Sequence, residues 1–195
     1  MSSPASALVW INGVLAASPH SGLVPLVVVG MVFMNFWLSF QVGAARRKHR
    51  IPYPTLYAVP GTLRDYSPDR EKLASAAAAS SSTSLSSGEA GGDSLSNVVS
   101  EADAFAFNCI QRGHQNTLEN ISFVIALMLV TWPAFPLPSA ICGAIWVVGR
   151  VLYMLGYARS PKLRMWGAIG YVGLLGLLGL ALAEAAYFYG RTAAY

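Results

Sequence analysis

Long charge-free runs alternate with short clusters of charge along this chain of 195 residues. No Lys, Arg, Asp or Glu occurs before Arg46, between Glu119 and Arg150, or between Arg164 and Glu184. A helix that crosses a bilayer needs about 20 mainly apolar residues. Four stretches reach that length: 23–45, 104–132, 139–157 and 165–189. The uncharged, proline-rich turn 132–138 joins the second and third as a hairpin. The pattern predicts an all-α membrane protein, a four-transmembrane-helix bundle.

Composition points the same way. Apolar residues make up 54% of the chain, charged residues only 11%, and mean hydropathy is +0.48. Soluble domains carry roughly a quarter charged residues. The net charge of +4 does not mark a nucleic-acid protein, because the basic residues gather beside the apolar runs. The clusters 46–50 and 159–164 are separated by two spans and so share one face. The positive-inside rule makes that face cytosolic and both termini luminal. Residues 8–17 are too short to span and lack a basic leader, so they read as an interfacial lead-in. Residues 64–103, rich in Ala, Ser and Gly, read as a low-complexity cytosolic loop insertion. Cys109 falls near the cytosolic end of the second span and Cys142 near the luminal end of the third, so they read as small packing residues rather than a disulfide.

The most informative segment is Phe107 to Glu119, FNCIQRGHQNTLE, at the polar end of the second span. Uncompensated polar groups at a bilayer boundary are costly, so such residues face a bundle interior or a watery pocket. At 100° per residue, Asn108, Arg112, Asn116 and Glu119 form one stripe. That stripe offers a guanidinium, an amide and a carboxylate, a set suited to a small zwitterion with free carboxylates. An Arg112–Glu119 pair that only locks helix packing fits the spacing equally well. His114 points away from the stripe. In the third span Arg150, Tyr153 and Tyr157 share a face at i, i+3 and i+7, which suits either a ligand or an interfacial aromatic belt. Arg164, just after Pro161, fits a topology-setting charge or a guanidinium over a pocket mouth. There is no zinc spacing, no P-loop and no Ser–His–Asp arrangement. Gly173, Gly176 and Gly179 lie in an apolar run and read as close helix packing.

Taken together, FNCIQRGHQNTLE, GRVLYMLGYARSPKLR (149–164) and ARRKHRIPYPTLYA (45–58) resemble the MAPEG family, the membrane-associated proteins of eicosanoid and glutathione metabolism. The motifs occur in the family's order over most of the chain. The resemblance implies a homotrimer that binds glutathione as co-substrate between subunits near the cytosolic face, with a lipophilic electrophile or lipid hydroperoxide as second substrate. It implies glutathione contacts from Ser39, Arg46, Arg112, His114, Asn116, Glu119, Tyr153 and Tyr157. It also implies catalytic roles for Arg164, which matches the arginine holding the sulfur as thiolate in leukotriene-forming relatives, and for Arg47 as a second donor. Asn120 stands where several relatives carry a ligand-binding Tyr. The implied activity is a membrane-bound glutathione transferase or peroxidase of the endoplasmic reticulum or outer mitochondrial membrane. The alternative is a non-catalytic lipid-binding scaffold of the lipoxygenase-activating type.

Overall fold

The structure, a computed structural model, describes residues 20–62, 64 and 98–192. The lead-in expected at 8–17 and the interior of the expected loop insertion lie outside those residues. Four long helices are present: α1 Leu23–His49, α2 Glu101–Thr131, α3 Pro136–Arg159 and α4 Ile169–Thr192, with a 3-10 helix Pro161–Ala168 between the last two. Three helical stretches among the described residues are long and apolar enough to cross a membrane: Leu23–His49, Pro136–Arg159 and Pro161–Gly190. Helix α2 is longer than any of them but does not join this set, because its first half carries the polar motif.

Two boundaries differ from the sequence reading. The fourth span begins as a 3-10 turn, started by Pro161 after the extended Ser160. Helix α2 begins at Glu101, inside the stretch expected to be loop, with Glu101 and Asp103 in its first turn. Acidic side chains there complement the free N–H groups and the helix dipole. The turn before α3 is tight, as its prolines predict. Phe135 N–H bonds the Thr131 carbonyl at 2.8 Å, and Pro136 and Pro138 fall in the first turn of α3, where a missing N–H costs nothing.

The chain forms two compact units, one of Met1–Ser39 with Gly113–Tyr195, the other of Phe40–Arg112. In the first, α3 lies against the 3-10 helix and α4 through small residues. A side chain at Gly149 would overlap the backbone of Gly170, and one at Gly173 the carbonyl of Cys142. Gly173 and Gly176 thus serve close packing, as their spacing suggests, whereas among the described residues nothing lies within 4 Å of a Cβ at Gly179. Both cysteines are free thiols.

In the second unit a small core of Ala45, Ile51, Ala58, Val99, Ala104 and Phe107 seals the end of α1 against the start of α2. Helix α1 closes with two bonds beyond its last turn, Ile51 N–H to the Arg46 carbonyl (3.0 Å) and Arg50 N–H to the Arg47 carbonyl (3.3 Å). This closure places Arg50 at φ 51°. Glycine usually occupies that left-handed position, and a side chain there costs roughly 1–2 kcal/mol. The ends of the loop region meet: Gly61 N–H bonds the Val99 carbonyl at 2.9 Å, and Val99 N–H the Thr62 carbonyl at 2.8 Å.

Candidate functional site

Within the first unit, Gly113 lets α2 come close to α3. A Cβ at Gly113 would sit 2.7 Å from the Met154 sulfur and 3.9 Å from the Tyr157 ring. One turn further along α2, the Asn116 Oδ1 accepts a bond from the Arg150 guanidinium at 2.6 Å. Arg150 is only 2% exposed. Its guanidinium carbon lies 5.3 Å from the Trp146 ring, 5.4 Å from Tyr153 and 5.9 Å from Tyr171 on α4. Aromatic faces stabilise a cation most where water is excluded. The Arg150 Nε–H has no partner among the described residues. Tyr153 and Tyr157 stack at 5.6 Å with their planes tilted by 46°.

The expected tyrosine pair and Asn116 therefore meet, and the link between them is Arg150. The sequence placed Arg150 on the tyrosine face but named neither its partner Asn116 nor Tyr171. An arginine inside an apolar run was itself the signal, since such a charge needs a nearby partner.

The 3-10 helix is clamped to the same part of α3. Ser160 N–H bonds the Gly156 carbonyl at 3.0 Å and Leu163 N–H the Ser160 carbonyl at 3.0 Å. The Leu163 carbonyl fills the space where Gly156 lacks a side chain, and Gly167 lies on the Cβ of Tyr153. Arg164 is thus held on a turn fastened at Leu163 and Gly167, with its side chain exposed. Glu119 is exposed as well.

His114 faces α1. Its Nε2 lies 3.3 Å from the Ser39 hydroxyl, which itself donates to the Asn35 carbonyl at 3.0 Å. With that hydroxyl proton committed, the contact is complete when Nε2 carries the imidazole hydrogen. Ser39 and His114, 75 positions apart, are thereby brought together.

In the second unit Arg112 is exposed, and Asn108 turns to the loop rather than to a ligand stripe. The Asn108 amide accepts from Ala58 N–H at 2.7 Å and donates to the Ala58 carbonyl at 2.9 Å. Arg46 is equally engaged. It donates to the Pro52 and Thr55 carbonyls at 3.0 and 2.9 Å and lies over the Tyr53 and Phe107 rings. Arg47 is exposed and lines, with Arg46, Arg50, Arg64 and Tyr53, a pocket of about 430 Å³.

Beside this pocket lies a network the sequence did not disclose. Asp103 accepts from His49 Nδ1 at 2.7 Å, from Arg64 Nη2 at 2.7 Å and from the Ser100 hydroxyl at 2.8 Å. These bonds, His49 first and then Arg64, hold the Asp103 carboxyl far below the ordinary carboxylate range. No group of three His, Cys, Asp or Glu side chains suited to a metal occurs among the described residues.

A bundle of apolar helices with a polar, arginine-centred constellation is a membrane-protein site. The sequence model of the MAPEG family matches residues 24–183, and the chain belongs to that family. It is also similar to an uncharacterized protein of Synechocystis sp., 39% identical over 62 residues. That segment covers 31% of this chain and 45% of the relative, so the match spans less than half of that protein's length.

Proposed function

We propose that the chain is a membrane-bound glutathione transferase or peroxidase, in kind nearest to microsomal glutathione transferase 3. The supporting observation is the arginine-centred cluster of Asn116, Arg150, Tyr153 and Tyr157, packed against the turn that carries Arg164. The MAPEG family includes glutathione transferases, peroxidases and non-catalytic activating proteins. Asn120 in place of a ligand-binding Tyr agrees with the type-3 subgroup. In this reading α2 is the fourth span, the protein is a homotrimer, and the site faces the cytosol from the endoplasmic reticulum or outer mitochondrial membrane.

Glutathione, when bound, supplies a thiol and two carboxylates. Arg150 holds Asn116 Oδ1, so the amide turns its Nδ2 hydrogens outward to a carbonyl or carboxylate. Arg112 and Arg46 supply positive charge for the carboxylates, and Glu119 meets the ammonium. Ser39 and His114 form a neutral polar pair at the opposite face of α2, where a subunit neighbour would bring a second peptide. Tyr153 and Tyr157 orient the peptide near the sulfur.

Arg164 holds the sulfur as thiolate, with Arg47 as second donor. A free thiol has a pKa of about 8.5, and keeping it ionised near neutrality requires roughly 1.4–3 kcal/mol. One guanidinium in a partly desolvated pocket supplies that much. The apolar groove of about 300 Å³ lined by Ile141, Ile145, Val148 and Ile169 offers a lipophilic second substrate a route from the bilayer.

The test is turnover of the purified protein with glutathione, on a chlorinated aromatic acceptor and on a lipid hydroperoxide. Arg164→Ala is expected to lower turnover by about 10²–10³, the range for losing one donor to a developing anion, with little change in glutathione affinity. Unchanged turnover would remove Arg164 from the mechanism. Glutathione binding without turnover on either acceptor would favour the lipid-binding scaffold.

A further inference from the structure

The pocket at the end of α1 carries more positive charge than its own contacts use. Of its four arginines, Arg64 is neutralised by Asp103 and tied to the Val98 and His49 carbonyls. Arg46 is spent on the Pro52 and Thr55 carbonyls. Neither Arg47 nor Arg50 has an ion-pair partner among the described residues, and both are exposed. Around the pocket of about 430 Å³, Arg47 and Arg50 thus stand without a carboxylate among the described residues.

Arg50 adds a second, independent observation. It occupies the left-handed position that closes α1, at φ 51°. Backbone preference alone would place glycine there. An arginine kept at a strained closing position points to a use for its side chain. The pocket also has a place relative to the bilayer. It follows directly on a helix apolar enough to cross a membrane, at the level where headgroups lie. Phe40 and Gly43 precede Arg47 on one face of α1, with the Phe40 ring exposed, which gives an acyl chain a surface to run along.

We infer that Arg47 and Arg50 form a headgroup site for an anionic phospholipid whose phosphate is a monoester, of the phosphatidic acid class. A monoester carries nearly two negative charges at neutral pH, against one on the diester of zwitterionic lipids. Two adjacent guanidinium groups match its oxygens in paired hydrogen bonds. Basic clusters beside the cytosolic end of a span are drawn to such headgroups. The site shares Arg47 with the glutathione reading, and Arg50 lies outside it, so the test below turns on Arg50.

The test uses the full chain in a non-ionic detergent and a phosphatidic acid with a fluorescent chain, followed by polarisation. Dioctanoyl phosphatidic acid is expected to displace the probe about tenfold better than dioctanoyl phosphatidylcholine. Inorganic phosphate is expected not to displace it over the same range. Arg50→Gly relieves the backbone, so it should melt no lower than the parent while binding the probe about tenfold more weakly. Arg50→Gln, which keeps the left-handed residue and removes only the charge, should lose as much. Equal displacement by phosphatidylcholine, or undiminished binding by both Arg50 variants, would overturn the site. Displacement by inorganic phosphate would overturn the lipid source.

Discussion

The two units each bury an arginine, and they treat it differently. Arg46, 8% exposed, gives Nη1 and Nη2 to carbonyls of the loop that follows it and is sandwiched by Tyr53 and Phe107. Arg150, 2% exposed, bonds an amide side chain on another helix and sits among three rings, its Nε–H without a partner among the described residues. A guanidinium whose donors end on backbone carbonyls is a structural fastener. One that ends on a rotatable amide sets the direction of that amide. The first holds its own loop in place, and the second readies the Asn116 amide for the ligand of the proposed reading.

The contrast is broken most sharply at Arg46. Arg46→Met should cost about 2–4 kcal/mol of stability, because two loop carbonyls lose their partner in a partly buried place. A melting curve recorded without glutathione checks this. Arg150→Met should behave in the opposite way. Removing a buried charge along with its desolvation cost leaves stability nearly unchanged, while the freed Asn116 amide raises the KM for glutathione about tenfold. A large fall in melting temperature without a KM effect would make Arg150 a fastener as well.

The difference also explains what the sequence could and could not disclose. Charge-free length announced α1, α3 and α4, because the bilayer sets that length whatever the neighbours are. The start of α2 at Glu101 was hidden, since its first turn is polar and follows a low-complexity stretch. The 3-10 opening of the last span was hidden too, for it depends on Gly156 and Gly167 receiving Leu163 and Tyr153. Site residues were grouped only along single helices, and their pairing across helices is a property of the packing. Ser39 with His114 and Asn116 with Arg150 each join different helices. Asn108, put on the ligand stripe by helical spacing, instead clamps Ala58, because the loop returns to α2 just there.

Two smaller effects sharpen the comparison. Asp103→Asn should cost about 1–2 kcal/mol at neutral pH through lost charge-assisted bonds, discounted for partial exposure. The sign against pH follows from the carboxyl's depressed value. The folded state binds fewer protons there than the unfolded chain, so the contribution is complete above the ordinary value of 3.8. It fades as pH falls below that toward the folded value. Melting curves from pH 6 down to about 3 should therefore drop less steeply for the variant than for the parent. Ser39→Ala should do least, with a KM change of about two- to threefold and no measurable change in melting, since its bond to His114 is long and exposed.

The meeting of Gly61 and Thr62 with Val99 has a consequence for how this chain can vary. Both strands of that short bridge, together with the Arg64–Asp103 pair, pin the entry and exit of the intervening sequence at one point. Doubling the length between them adds only about 0.6 kcal/mol of closure entropy. The bridge is thus a seam at which sequence can be inserted, removed or exchanged while the arginine pocket and the start of α2 keep their register.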